Sequence, residues 1–312
     1  MTGAARVLYL TDMKIADVIP LYVSQTCHTE SSRKVYRGML LQLQAQFPGL
    51  TLDQFTSQHL TQFCLSGHSP SPATMKARRS RMIGFFGWCQ WQGHVTASPA
   101  ADLKYTVKPG HGGGVVEHCW MDEAQVGHVL QAQHGDPLHG PRARVVLLCG
   151  VFLGLRRSEI AGLRWSKFTS DLSRLTFVGK GNKLAQLGVP PQLRTELQQW
   201  RREVPVGCQT VLPGIYTKPG TRALAFDWRK PVGGDTISTI VSRAGELGGL
   251  RLAPHDLRRT FAGLLEAQGM DIKDISRLMR HSNIGTTSNY LEKNPHRVAG
   301  LGDAIQFNVG VG

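Results

Sequence analysis

Apolar positions in the first hundred residues recur with the period of a helix. Tyr36, Met39, Leu40, Leu43 and Phe47 fall on one face, after the cap candidates Thr29 and Ser31. Thr51 and Gln54 have capping-box spacing and lead into Phe55, Leu60 and Phe63. Pro70 and Pro72 interrupt the pattern, and Thr74 starts another helix that carries Met82, Phe86 and Cys89 on one side. In the second half, the run Val145 to Leu153 predicts a buried helix, with a further helix after Ser158. From Leu175 to Val189 the pattern changes to that of a hairpin turning at Gly179-Lys180-Gly181-Asn182. Helical spacing returns near 192–203, 235–247, 255–268 and 271–280. The pattern is mainly α with a small β hairpin, in two domains.

The domains separate at Pro109-Gly110-His111-Gly112-Gly113-Gly114, which reads as a connector. No strand precedes these glycines and no Gly-Lys-Ser/Thr follows them, so they do not form a phosphate loop. The expected organisation is a helical domain over 1–103, a linker over 104–118 and a mixed α+β domain over 119–312. Beyond residue 290, Val298, Leu301 and Ile305 would share one helix face, and Phe307, Val309 and Val311 alternate.

Composition narrows the function classes. Hydrophobic residues make up 41% of the 312 residues and charged residues 19%, the balance of a globular protein. The longest apolar run is too short to span a bilayer, and Thr11, Asp12 and Lys14 break any secretory leader, so a cytoplasmic protein without membrane attachment is expected. Six cysteines without a Cys-x-x-Cys pair suit reduced thiols better than zinc or a disulfide framework. Thirty-six Lys and Arg against 22 Asp and Glu give a net charge of +14, which attracts polyanions. Lys76, Arg78, Arg79 and Arg81 concentrate that charge in two helical turns, where a phosphate backbone would relieve their repulsion. Lys104 and Lys108 add to it in the linker.

Four segments carry candidate chemistry: Gly154-Leu155-Arg156-Arg157-Ser158-Glu159, Gly179-Lys180-Gly181-Asn182-Lys183, Pro254-His255-Asp256-Leu257-Arg258 and Met279-Arg280-His281, the last leading to Tyr290. In the third, Leu257, Phe261 and Leu264 form an apolar stripe, with His255 and Arg258 roughly 60° apart beside it. Two cationic donors at the edge of a buried face suit an anion between them; a capped helix with two solvated cations is the bland alternative. Guanidinium grips phosphate in bidentate fashion, and imidazole moves protons near neutral pH. A tyrosine nucleophile starts from a pKa of about 10 and needs such neighbours.

The order Arg156, Lys180, His255-x-x-Arg258, His281, Tyr290 resembles the tyrosine recombinase family, which includes phage integrases and Xer resolvases. The resemblance covers most of 140–295, and the spacings agree: Arg258 stands 23 residues before His281, and His281 nine before Tyr290. The first hundred residues resemble, less specifically, the family's helical (SAM-like) core-binding domain. Lys183-Leu184-Ala185 stands where Lys-Glu-Arg is frequent, Arg259 where histidine is, and Arg280 where glycine is; none of these removes a catalytic residue.

The resemblance implies a C-shaped clamp on double-stranded DNA. Tyr290 would attack the phosphodiester and form a 3′-phosphotyrosyl link. Arg156, Arg258 and His281 would stabilise the transition state, Lys180 would act as general acid, His255 would assist proton transfer, and Glu159 would orient Arg156. It also implies a homotetramer on two sites, a tail that packs on the neighbouring protomer, no metal or other cofactor, and room for an accessory directionality factor. Integration or excision of a phage or mobile element is the first expectation and Xer-type dimer resolution the alternative. A non-catalytic regulator on the same fold would be expected to lack some of the six side chains. A type IB topoisomerase shares the tyrosine chemistry without exchanging strands.

Overall fold

The computed structural model describes residues 13–67, 70–103, 119–178, 184–281 and 283–292, with the side chains of Ser31, Phe177, Val178, Leu184, Ala185, Asn289 and Tyr290 outside the description. The linker, the Gly179–Lys183 turn and the apolar tail lie outside the described residues. The chain divides into two compact units, Met1–Val116 and Glu117–Gly312.

The first unit is built of helices α1 (Ile15–Thr26), α2 (Glu30–Gln46), α3 (Ser57–Leu65) and α4 (Pro72–Trp91). Thr29 caps α2 by accepting from the Ser32 amide. The Thr51/Gln54 box closes a single 3-10 turn, and α3 starts later, behind Thr56. Pro72 does not break the chain but opens α4: Ser71 is its cap, and proline at the first position loses no hydrogen bond. Leu40, Leu43, Phe63, Met82, Phe85, Phe86 and Cys89 are buried together. Tyr22 of α1, which the sequence pattern did not single out, meets Tyr36, Phe85 and Trp88 edge-on, with centroids 5.1–5.6 Å apart.

The second unit is assembled around α6 (Gly140–Leu153), which is buried nearly all round. Against it pack α8 (Pro191–Arg202), α9 (Gly234–Leu247) and α10 (Pro254–Ala267), with α5 (Glu123–Ala132) on α9. The expected hairpin is present: β1 (Arg174–Val178) pairs antiparallel with β2 (Leu184–Gly188), Thr176 opposite Gln186. A second hairpin, β3 (Pro213–Thr217) with β4 (Leu224–Pro231), was not anticipated. Its Phe226 and Trp228 pack on Trp200 of α8. The unit is completed by short helices α7 (Arg157–Ala161), α11 (Ile272–Leu278) and α12 (Ile284–Leu291). Among the described residues no helix is long and apolar enough to cross a membrane.

Two glycines set the approach of α10 to α6. A Cβ on Gly150 would come within 2.6 Å of the Leu257 side chain. Gly154 ends α6 in the left-handed region at φ +54°, and a Cβ there would sit 2.4 Å from the Phe261 ring. Gly154→Ala therefore combines left-handed strain with overpacking and should destabilise the second unit by about 2–4 kcal/mol. Gly38→Ala, in mid-α2 with nothing within 4 Å of the new methyl, should stabilise by ~0.5–1 kcal/mol. Urea unfolding of the full chain measures both. Equal, small effects would contradict this account of the α6–α10 seam.

Candidate active site

The site forms where the end of α6, the start of α10 and the turn after α11 meet. Gly154 bends the chain so that Leu155 is buried and Arg156 stands at the entry to α7. One turn on, Glu159 reaches back. Its Oε2 accepts the Arg156 amide at 2.8 Å, and its Oε1 accepts Arg156 Nη1 at 3.0 Å. Burial alone would raise the pKa of Glu159, but the Arg156 amide and the charges of Arg280 and Arg156 outweigh it and hold the carboxyl below its usual range.

Arg258 is 1% exposed, and its guanidinium donates to the carbonyls of Gly154 and Met279. It is therefore no solvated cation at the edge of a helix face; it ties the α6–α7 loop to the α11–α12 turn. Asp256 fixes the start of α10 by accepting the Ala253 amide at 2.9 Å and pairing with Arg259 at 2.7 Å. His255 is exposed one turn before Arg258. Partial desolvation, then the charges of Arg259 and Arg258, press its pKa down.

In the α11–α12 turn, Arg280 takes a left-handed backbone at φ +55°. The His281 amide bonds the Ser276 carbonyl at 3.1 Å. The His281 ring is held through Nδ1, 2.7 Å from the hydroxyl of Thr287, which is fully buried on α12. Desolvation, followed by Arg258, Arg156 and Arg280, lowers the His281 pKa to about 4. Tyr290 lies on α12, three residues beyond Thr287; Lys180 lies outside the described residues.

The structure thus gathers Arg156, Glu159, Arg258 and His281, with His255 on the same helix as Arg258. Arg156 and Arg280 share the Glu159 carboxylate, and Arg258 adds a third positive charge beside His281, an excess that favours an anion in their midst. Sequence reasoning did not assign Arg280 or Thr287 a role. The available signals were a bulky residue at a usual glycine position and a threonine one helical turn before Tyr290. Among the described residues no group of three or more His, Cys, Asp or Glu side chains is placed to hold a metal ion.

The basic cluster on α4 is divided. Arg78 donates to the Phe63 and Ser66 carbonyls at 3.1 and 2.6 Å, closing the end of α3. Arg79 donates to the Leu103 carbonyl at 2.6 Å. These carbonyls already relieve part of the repulsion that a phosphate was expected to relieve. Lys76 is exposed, and Arg81 lies over the Tyr36 ring at 5.9 Å. Lys104 and Lys108 lie outside the described residues.

A neutral, half-buried His281 has a consequence for stability. In the unfolded chain histidine titrates near 6.5, and in the fold near 4. The neutral ring's contribution is therefore complete above pH about 6.5 and is lost as the pH falls towards 4. Between pH 7.5 and 4.5 the wild type should lose about 1–2 kcal/mol more than His281→Asn, after solvent screening is allowed for. Urea titrations at the two pH values check this; parallel losses would place His281 in an ordinary environment.

Residues 119–297 match the model of the "Phage integrase family". The tyrosine recombinase XerC of Xanthomonas axonopodis pv. citri (strain 306) is 30% identical over 254 residues, covering 80% of this chain and 78% of that protein. A lambda integrase dimer bound to a COC′ core site shares the fold with a TM-score of 0.64 at 17% identity, over 99% of this chain and 83% of that one. A lambda integrase tetramer bound to a Holliday junction gives 0.66 at 15% identity, over 99% and 84%. The chain belongs to the phage integrase family: it is a tyrosine recombinase, an enzyme that breaks and rejoins DNA.

Proposed function

We propose that this recombinase cuts and rejoins double-stranded DNA at a specific site, with Tyr290 as nucleophile, and that it integrates or excises a phage or mobile element. The observation that carries the chemistry is the interlocked group of Arg156, Arg258 and His281: Arg156 pairs with Glu159, Arg258 ties the Gly154 and Met279 carbonyls, and the His281 ring lies in the field of both arginines. Tyr290 Oη attacks the phosphorus, the bond from phosphorus to O5′ breaks, and a 3′-phosphotyrosyl link forms. His255, kept largely neutral by its surroundings, takes the tyrosine proton. Lys180 protonates the leaving 5′-oxygen.

Arg156 and Arg258 meet the charge that grows on the non-bridging oxygens. In the tautomer whose Nδ1 accepts the Thr287 hydroxyl, the His281 ring carries its proton on Nε2, where it can be donated to the phosphate. Rejoining reverses the sequence: a 5′-hydroxyl from the partner strand attacks the phosphotyrosine. The link conserves the phosphoester, so no nucleotide is consumed.

Strand exchange pairs two DNA sites, with two protomers on each, and a cytoplasmic setting follows from that substrate. Lys76 and Arg81 of the first unit, with Lys104 and Lys108, would meet backbone phosphates. Arg78 and Arg79 would contribute the donors that the carbonyls leave free. The Xer-type reading, resolution of chromosome or plasmid dimers, is favoured by the identity to XerC. Deleting the gene separates the two: filamentation and unresolved dimers mark a resolvase, whereas loss of one mobile junction marks an integrase.

A nicked suicide duplex carrying the site that the protein enriches from a random duplex pool should trap a covalent adduct. Tyr290→Phe should bind that duplex within about twofold of wild type and yield no adduct. An adduct that survives in the variant would remove Tyr290 from the role.

Lys180→Ala should slow cleavage about a hundredfold or more, as expected for a lost general acid. A 5′-bridging sulfur, whose leaving group needs no proton, should restore the rate. Rescue of Lys183→Ala in place of Lys180→Ala would move the acid to Lys183.

A further inference from the structure

Arg280 occupies an unfavourable backbone conformation. It is one of two non-glycine residues with positive φ among the described residues, at +55°, where a side chain ordinarily costs stability. Its side chain is nevertheless drawn inward and is only 11% exposed. The guanidinium donates to the Leu278 carbonyl at 2.8 Å, to Gly154 at 3.3 Å and to Glu159 Oε2 at 2.9 Å. Its own carbonyl accepts Arg156 Nη2 at 3.2 Å. Arg280 therefore touches Arg156 twice, directly through its backbone and indirectly through Glu159, and it immediately precedes His281.

The division of the Glu159 carboxylate is the informative detail. Oε1 serves the Arg156 guanidinium, while Oε2 serves the Arg156 amide and Arg280. A guanidinium beside a carboxylate with both oxygens open closes on it in bidentate fashion. With Arg280 on Oε2, Arg156 is limited to one oxygen, and its guanidinium keeps for a phosphate the donors that Oε1 and the Arg280 carbonyl do not use.

We propose that Arg280 is a positioning residue for cleavage: by occupying the second oxygen of Glu159 and pinning the turn that carries His281, it keeps Arg156 turned to the scissile phosphate instead of folded onto Glu159. The inference rests on the recombinase reading above. It differs from a structural role in what it protects, because the loss falls on the rate of the bound complex and leaves binding and folding in place.

Arg280→Gly suits the test, since glycine accepts φ +55° without strain. The probe is the nicked suicide duplex carrying the enriched site, and adduct formation is followed at saturating protein. Arg280→Gly should keep wild-type circular dichroism and melting and bind within about threefold, yet cleave about 10–100-fold more slowly, the scale of a misplaced catalytic group. Arg280→Lys, which keeps the charge and loses the fork, should recover part of that rate.

Glu159→Gln completes a cycle. If Arg280 acts through Glu159, the double variant should be no slower than the slower single variant. A folded Arg280→Gly that cleaves at the wild-type rate overturns the proposal, as do losses that multiply in the double variant. Should Arg280→Gly fail to fold, Arg280→Lys takes its place in the same cycle under the same criteria. If wild type itself traps no adduct while binding the duplex, the recombinase roles fail and the inference with them; a wild-type adduct matched by Arg280→Gly sinks the inference alone.

Discussion

The guanidinium of Arg258 holds together three stretches of chain that are distant in sequence. Removing so large a cation from water is costly, and the cost is recovered only where every donor finds an acceptor. Here the Gly154 and Met279 carbonyls take one donor from each terminal nitrogen, each at a place where the chain has just left a helix and its carbonyls lack intrahelical partners. The close approach depends on Gly150 and Gly154, whose missing side chains admit Leu257 and Phe261. A buried arginine, two glycines and two frayed helix ends form one device. The positions of Arg156, before α7, and His281, after α11, follow from it.

Around that anchor the electrostatics lean one way. Arg156, Arg258 and Arg280 surround His281, and Glu159 is the carboxylate that Arg156 and Arg280 share. The free site is consequently short of negative charge, and the three guanidiniums add to the desolvation that lowers the pKa of His281. A phosphodiester would supply the missing charge, and more of it in the transition state than in the ground state, which is the condition for catalysis by differential binding. Neutral histidine suits this environment: it can offer a proton to an oxygen without adding a fourth full charge to the cluster.

Much of this was legible in the sequence because the segments that carry it are short and local. His255 and Arg258 are set by one helical turn, and the β1–β2 hairpin announces itself by alternation around glycines. The β3–β4 hairpin was not legible. Pro213, Gly214 and a register irregularity disrupt its period, and its packing against Trp200 is a tertiary fact. Helices α1, α5 and α12 were also missed. On α4 the sequence shows four cations alike; only the fold shows Arg78 and Arg79 committed to carbonyls, because their partners are 12 to 24 residues away. Arg280 was visible as an oddity, but its meaning needed Glu159, 121 residues distant.

The helix that bears Tyr290 illustrates the same dependence. Eight residues are too few to form a stable helix alone, so α12 exists because it is docked. Asn283 caps it by accepting the Gly285 amide at 2.9 Å. Thr287 fastens its middle to His281, and Leu291 anchors its end among Phe261, Ala262, Ile275 and Met279. Thr287 and Leu291 are one turn apart on one face, and two fixed points on one face determine both the axis of a short helix and its rotation. The backbone of Tyr290, between them in sequence, is placed by the same contacts that hold His281. Tyr290 and His281 thus share a support, so a change in one anchor reaches both residues together.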